Sequence, residues 1–132
     1  MIQDLPGSFP YQPTAFPGPY QYTGDLPLGR WSMMANGRIF ELRIAGVQNA
    51  TVNASLSSGR VEDATWTGFA NASTLAELSF VRVLPDLRLK QRFHGYLLHY
   101  SESDPLWRIA GTFGDIKKKE PEAGWYATLP RL

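Results

Sequence analysis

Gly29-Arg-Trp-Ser-Met-Met-Ala-Asn-Gly-Arg-Ile-Phe-Glu-Leu-Arg-Ile44 decides the fold of this chain. Asn36-Gly37 separates two runs of alternating residues, and both central positions of a type I′ hairpin turn need a positive φ, which Asn and Gly tolerate best. A two-residue loop fixes the register, pairing Ala35 with Arg38, Met33 with Phe40 and Trp31 with Leu42. Trp31, Met33, Phe40, Leu42 and Ile44 then share one face and form a core, while Ser32, Glu41 and Arg43 share the other. Met34 and Ile39 pair on the outward face, an apolar exception that implies a contact with a strap or a subunit.

Downstream, period-two alternation continues between short breaks rich in Gly, Asn, Asp, Ser and Pro, with no 3.6-residue apolar stripe. Further strands are predicted over Ala50 to Ser57, Arg60 to Gly68, Leu75 to Leu84, Leu87 to Tyr100, Leu106 to Gly114 and Ala123 to Leu129. Alternation turns Val52, Ala54 and Leu56 inward, with Leu87, Leu89, Phe93 and Leu97 on the sixth strand. Trp107, Ile109 and Phe113, then Trp125, Ala127 and Leu129, follow inward on the last two. The fifth strand is ambiguous, because Leu78/Phe80/Leu84 and Val81/Val83 compete for the interior. Eight antiparallel strands joined by short loops close most economically as an all-β, up-and-down barrel that leaves no exposed edge; a sandwich is the alternative.

Ahead of the barrel, Leu5 to Pro27 holds six of the ten prolines (Pro6, Pro10, Pro13, Pro17, Pro19 and Pro27), five aromatics and the single charge of Asp25. Proline fixes φ and extends the residue before it, so residues 1–28 read as an extended arm and 29–132 as the barrel domain. Phe9, Tyr11, Phe16, Tyr20 and Tyr22 make this an ordered strap across its own barrel or a neighbouring subunit, since linkers seldom carry aromatics so densely. Together with Met34 and Ile39 they are the candidate partner contacts.

In 132 residues, 43% hydrophobic and 13% aromatic, there is enough apolar surface for one cored domain. Thirteen basic against twelve acidic residues leave a formal charge of +1, which provides no global field for nucleic acid or anionic lipid. The absence of cysteine excludes disulfides, thiolate nucleophiles and Cys-based metal sites. No apolar run approaches the roughly 20 residues that span a bilayer, and the opening MIQDLPGSFP lacks a basic start and a hydrophobic run, which favours a cytoplasmic location.

The opening Gly29-Arg30-Trp31 resembles the G-x-W signature with which lipocalins and avidins of the calycin superfamily begin their barrels, and the tight hairpin after it is similar to the opening of avidin and streptavidin. The resemblance implies an eight-stranded barrel closed at one end by Trp31. Avidins carry biotin-binding polar residues two and six positions after that Trp, where this chain has Met33 and Gly37, so biotin binding is not expected. Lipocalins place a cation from the end of the last strand over the same Trp, and Arg131 is the C-terminal candidate.

Trp31, Trp66, Trp107 and Trp125 fall on the interior phase, where they fill the core or line a ligand pocket. Gln91 and His99 are the polar residues sharing that phase and, needing partners if buried, complete the pocket candidates. His94 and His99 face opposite sides of one strand without a third ligand, so no metal site or cofactor is expected. No nucleophile or phosphate-loop motif occurs. Arg88, Lys90, Arg92 and His94 form an outer basic stripe, with Lys117 to Lys119 as a basic loop. No aromatic platform lies among them, and a solvated face is the expectation over a nucleic-acid site. Asn49, Asn53 and Asn71 stand in N-x-S/T triplets, read as polar outer-face composition. These features favour a non-catalytic binding or assembly module that docks on a protein partner or second copy. The alternatives are a small apolar ligand in the barrel, or a cofactor-independent cyclase or isomerase using His99, Gln91 and Tyr96.

Overall fold

The computed structural model describes residues 25–68, 76–98 and 103–131. Eight strands follow in chain order: β1 (Gly29–Ala35), β2 (Arg38–Gln48), β3 (Thr51–Leu56), β4 (Arg60–Thr67), β5 (Glu77–Leu84), β6 (Leu89–Leu98), β7 (Leu106–Asp115) and β8 (Ala123–Pro130). Each pairs antiparallel with the next, and β8 returns to β1 to close the barrel. Phe9, Tyr11, Phe16, Tyr20, Tyr22, Asn71 and His99 lie outside the described residues. Among those described, no helix is long and apolar enough to cross a membrane.

The first hairpin matches its sequence reading: Asn36 and Gly37 have φ of 53° and 73°, and Trp31, Met33 and Ala35 face Leu42, Phe40 and Arg38. Asn49 and Ala50 repeat this geometry with φ of 52° and 69° and join Gln48 to Thr51. The second strand therefore runs on to Gln48 instead of stopping near Ile44. Alanine is a poor left-handed residue, so this turn carries no sequence signal.

On β4, Glu62 faces Val81 and Thr65 faces Ser79, leaving Asp63 and Ala64 opposite Phe80 alone. Asp63 takes the left-handed conformation at φ 52°, forming a β-bulge. The extra residue turns Val61, Ala64 and Trp66 inward and swings Glu62 outward, where it meets Arg60 at 2.8 Å and Lys90 at 3.4 Å. The Glu62–Lys90 bridge passes over β5. That strand buries both phases: Leu78 and Phe80 belong to the core, while Val81 and Val83, 1% and 5% exposed, lie outside it. Leu84 is only half-buried. Leu87, expected inside the sixth strand, is instead 70% exposed in a 3-10 turn over Pro85–Leu87. Pro85 opens that turn and Arg88 closes it with φ 49°, so the strand starts only at Leu89.

Phe80, Phe93 and Phe113 stack across β5, β6 and β7 with centroids 4.8 and 4.7 Å apart. Trp125 meets Phe80 and Phe93 edge-on at 5.9 and 5.7 Å. Its indole crosses Gly111 and Gly95, and its Nε1 donates to the His94 carbonyl oxygen at 2.9 Å. A Cβ on Gly95 would strike the Trp125 ring, and one on Gly111 the His94 carbonyl oxygen.

Trp31 is fully buried and donates through Nε1 to the Pro27 carbonyl at 3.1 Å, while Leu26 is buried in the same cluster. The chain entering β1 thus closes this end of the barrel. Arg131 does not reach Trp31; its guanidinium lies 4.6 Å from the Trp107 ring centroid, because Leu129 pairs with Trp107 and carries the end of β8 along β7.

Replacing Trp31 by Ala should cost about 3–5 kcal/mol, as a large core truncation does. Urea unfolding followed by circular dichroism measures it; a loss below about 1 kcal/mol would mean that the Trp31 contacts do not close the barrel.

Candidate functional site

Of the interior candidates, Trp31, Trp66 and Trp125 are buried members of the core, and Trp107 packs half-buried against it. They fill the barrel together with Met33, Phe80 and Phe93. Gln91 does face inward, at the far end from Trp31, and its partner was not apparent from sequence. Arg82 shares the inward phase and donates through Nη1 to Gln91 Oε1 at 3.1 Å. Its other donors reach the Ser58 carbonyl and hydroxyl, both at 3.0 Å, and its guanidinium lies 4.6 Å from the Phe40 ring centroid. Burial, and then the like charge of Arg38, holds the Arg82 pKa below the usual arginine value. The arrangement works as a polar stopper. Tyr96 points outward, on the face of β6 opposite Gln91, so those two cannot act on one substrate.

The basic stripe is partly neutralised. Lys90 is tied to Glu62, and His94 Nδ1 lies 3.0 Å from Glu77 Oε2. Two clefts open on the outside of the barrel near the β7–β8 loop. One of about 320 Å³ is lined by Val83, Leu84, Leu89 and Ile116 together with the charged Arg88, Lys90, Asp115 and Lys117. The other, of about 210 Å³, lies between Arg92, His94 and the Lys118–Pro121 segment.

Register shows what alternation within one strand does not. Ile39 on β2 faces Met34 on β1, Met34 faces Tyr126 on β8, Tyr126 faces Ala110 on β7, and Ala110 faces Tyr96 on β6. These five residues make one continuous outer row, with Ile39, Met34, Tyr126 and Tyr96 exposed by 73, 51, 41 and 39%. The row towards the Trp31 end is mainly polar: Glu41, Ser32, Thr128 and Arg108. Gly124, Thr112, His94 and Ser79 flank the other side. Met34 and Ile39 were expected on the outside; Tyr126, Ala110 and Tyr96 join them only once neighbouring strands are aligned.

Tyr126 is held in place. Its hydroxyl accepts from Arg108 Nη1 at 2.8 Å, and Arg108 clasps Asp104 with Nε and Nη2 at 3.1 and 3.2 Å. Asp104 Oδ1 also accepts the Leu106 amide at 3.1 Å. The Arg108 hydrogen bonds, then that amide, hold the Asp104 carboxyl below the usual aspartate pKa.

A depressed folded-state pKa adds stability above the unfolded value of about 3.9, and that stability is lost as pH falls through the folded value. As pH falls below about 4, melting temperature should therefore drop more steeply for wild type than for Asp104→Asn. Equal slopes would show that the clasp adds nothing to folding.

Comparison with protein-family models, curated proteins and solved structures finds no match for this chain.

Proposed function

We propose that this chain is a non-catalytic, calycin-like barrel that serves as an assembly module, docking a protein partner on the outer row Ile39–Met34–Tyr126–Ala110–Tyr96. The carrying observation is the contrast between an interior filled by its own side chains and a continuous exposed apolar row outside. An apolar, tyrosine-bearing centre with polar residues on both sides is the anatomy of a protein interface. With Tyr126 fixed by Arg108, docking costs little side-chain freedom. The topology and the Trp31 closure are compatible with the calycin resemblance of Gly29-Arg30-Trp31, and the arm aromatics supply a second docking element.

A second reading, small-ligand binding, has support on the outside of the barrel. The 320 Å³ cleft joins apolar side chains to Arg88, Lys117 and Asp115, which suits a small, largely apolar ligand with a polar end.

Sedimentation velocity over a wide concentration range tests docking, with a second copy as the available partner. Met34→Glu and Ile39→Glu, made singly, should each weaken self-association about tenfold or more, or ~1.4 kcal/mol. Their melting temperatures should stay near wild type because both side chains are exposed. Wild type and both variants sedimenting alike would overturn the assignment.

A further inference from the structure

At the end of the barrel opposite Trp31, two guanidiniums stand at the mouth and no carboxylate among the described residues pairs with either. We propose that this mouth binds a tetrahedral oxyanion, free phosphate or the phosphoryl group of a small molecule, between Arg38 and Arg82. The inference is independent of the docking reading, which concerns the outer face.

Position comes first. Arg38 opens β2 on the inward phase of Phe40 and Leu42, and it pairs with Ala35 at the rim of the barrel. Arg82 reaches the same rim from β5, three strands further round. Its guanidinium lies 4.6 Å from the Phe40 ring centroid and donates to the Ser58 carbonyl and hydroxyl in the β3–β4 turn. Arg38 and Phe40 are two residues apart on one face of a strand, so the two guanidiniums flank the same ring. Arg38 is also the like charge that, after burial, lowers the Arg82 pKa, which puts the pair within electrostatic reach.

The hydrogen-bonding groups left open here are donors. Arg82 commits three of its five N–H groups to Ser58 and Gln91, which leaves two without an acceptor. An arginine can only donate, so Gln91 gives it the amide oxygen and keeps both NH2 protons free. Ser58 Oγ accepts from Arg82 and still has its own proton to give. Arg38 is exposed, and among the described residues no acceptor meets its guanidinium. Asp115, the carboxylate opposite Gln91 in register, accepts the Lys117 amide at 2.9 Å and forms no ion pair with either arginine. Glu62 is held outside the barrel by Arg60 and Lys90.

Two like charges, one of them half-buried, repel until an anion comes between them. A phosphoryl group carries about −1.5 to −2 charges near neutral pH and presents several oxygens to forked donors, whereas a carboxylate brings one charge. Trp125 and the Phe80–Phe93–Phe113 stack fill the barrel beneath, so the anion sits at the rim. Half-buried Leu56 and Val61, on either side of the β3–β4 turn, offer an apolar body a place to rest.

Isothermal titration calorimetry in chloride buffer of constant ionic strength at about pH 7.5, with inorganic phosphate and phenyl phosphate as probes, tests the site. Wild type should bind phosphate, and Arg38→Gln should weaken binding about tenfold or more, as loss of a charge-assisted fork does. Arg43→Gln, which removes an exposed charge from the outer face of the same strand, should bind as wild type does. Because Arg38 is exposed, its variant should fold, and without phosphate it should melt no lower than wild type, since a repulsion is gone. Phosphate should then raise the melting temperature of wild type and leave that of Arg38→Gln nearly unchanged. Tighter binding of phenyl phosphate than of phosphate identifies a phosphorylated apolar molecule as the ligand; equal or weaker binding identifies the free anion. No binding to wild type, unchanged binding to Arg38→Gln, or equal losses in the two variants would each overturn the site.

Discussion

The Trp125 indole, laid across Gly111 and Gly95 with its Nε1 on the His94 carbonyl, is the contact on which the rest of the barrel depends. An eight-stranded barrel has room for its own side chains or for one small ligand. Here Gly95 leaves its side-chain space to the Trp125 ring, while Gly111 lacks a side chain because the His94 carbonyl comes too close for a Cβ. The ring then backs the Phe80–Phe93–Phe113 stack and takes the space a ligand would need. At one end Trp31 and Leu26 complete the closure; at the other Arg82 and Gln91 do so.

How legible such a barrel is depends on how local each determinant is. The first hairpin could be read to the residue, since Asn36-Gly37 states its turn type and a two-residue loop leaves one register. Strand number and antiparallel order followed from spacing and breaks. The misreadings fall where a residue adopts a conformation its type disfavours. Asp63, Ala50 and Arg88 all have positive φ; the first makes the bulge in β4 and the second the turn after β2, neither with a sequence signal, and the third leaves Leu87, which alternation places inside, exposed ahead of β6. Pattern arithmetic assumes an unbroken period of two, and one left-handed residue resets it. The competition on β5 is settled for Leu78 and Phe80, which join the core; Val81 and Val83 face outward, and their burial there beneath the Glu62–Lys90 bridge is what made the two phases look alike in sequence.

The outer row was less legible for a different reason. Outward phase at Tyr126 follows from Trp125 and Ala127 facing inward, so each member could be placed on its face from sequence. That the five residues stand side by side depends on the β1–β8, β7–β8 and β6–β7 registers, and all three are set by longer loops or by barrel closure. Interfaces are two-dimensional, and a sequence states one dimension of them. Arg82 was missed for a related reason. An inward arginine looks like an error of phase until its neutral partners and the Phe40 ring are seen to take up its donors and charge.

Closing the barrel removes the free edges by which sheets usually recruit other chains. Recognition must then come from side chains on a convex surface, where a rigid partner meets few strands at once. A row perpendicular to the strands makes this constraint usable, since an extended chain laid across it meets one anchoring side chain at every strand it crosses. Within the row, Asp104 and Arg108 already fix Tyr126, so its side chain has little rotamer freedom left to lose.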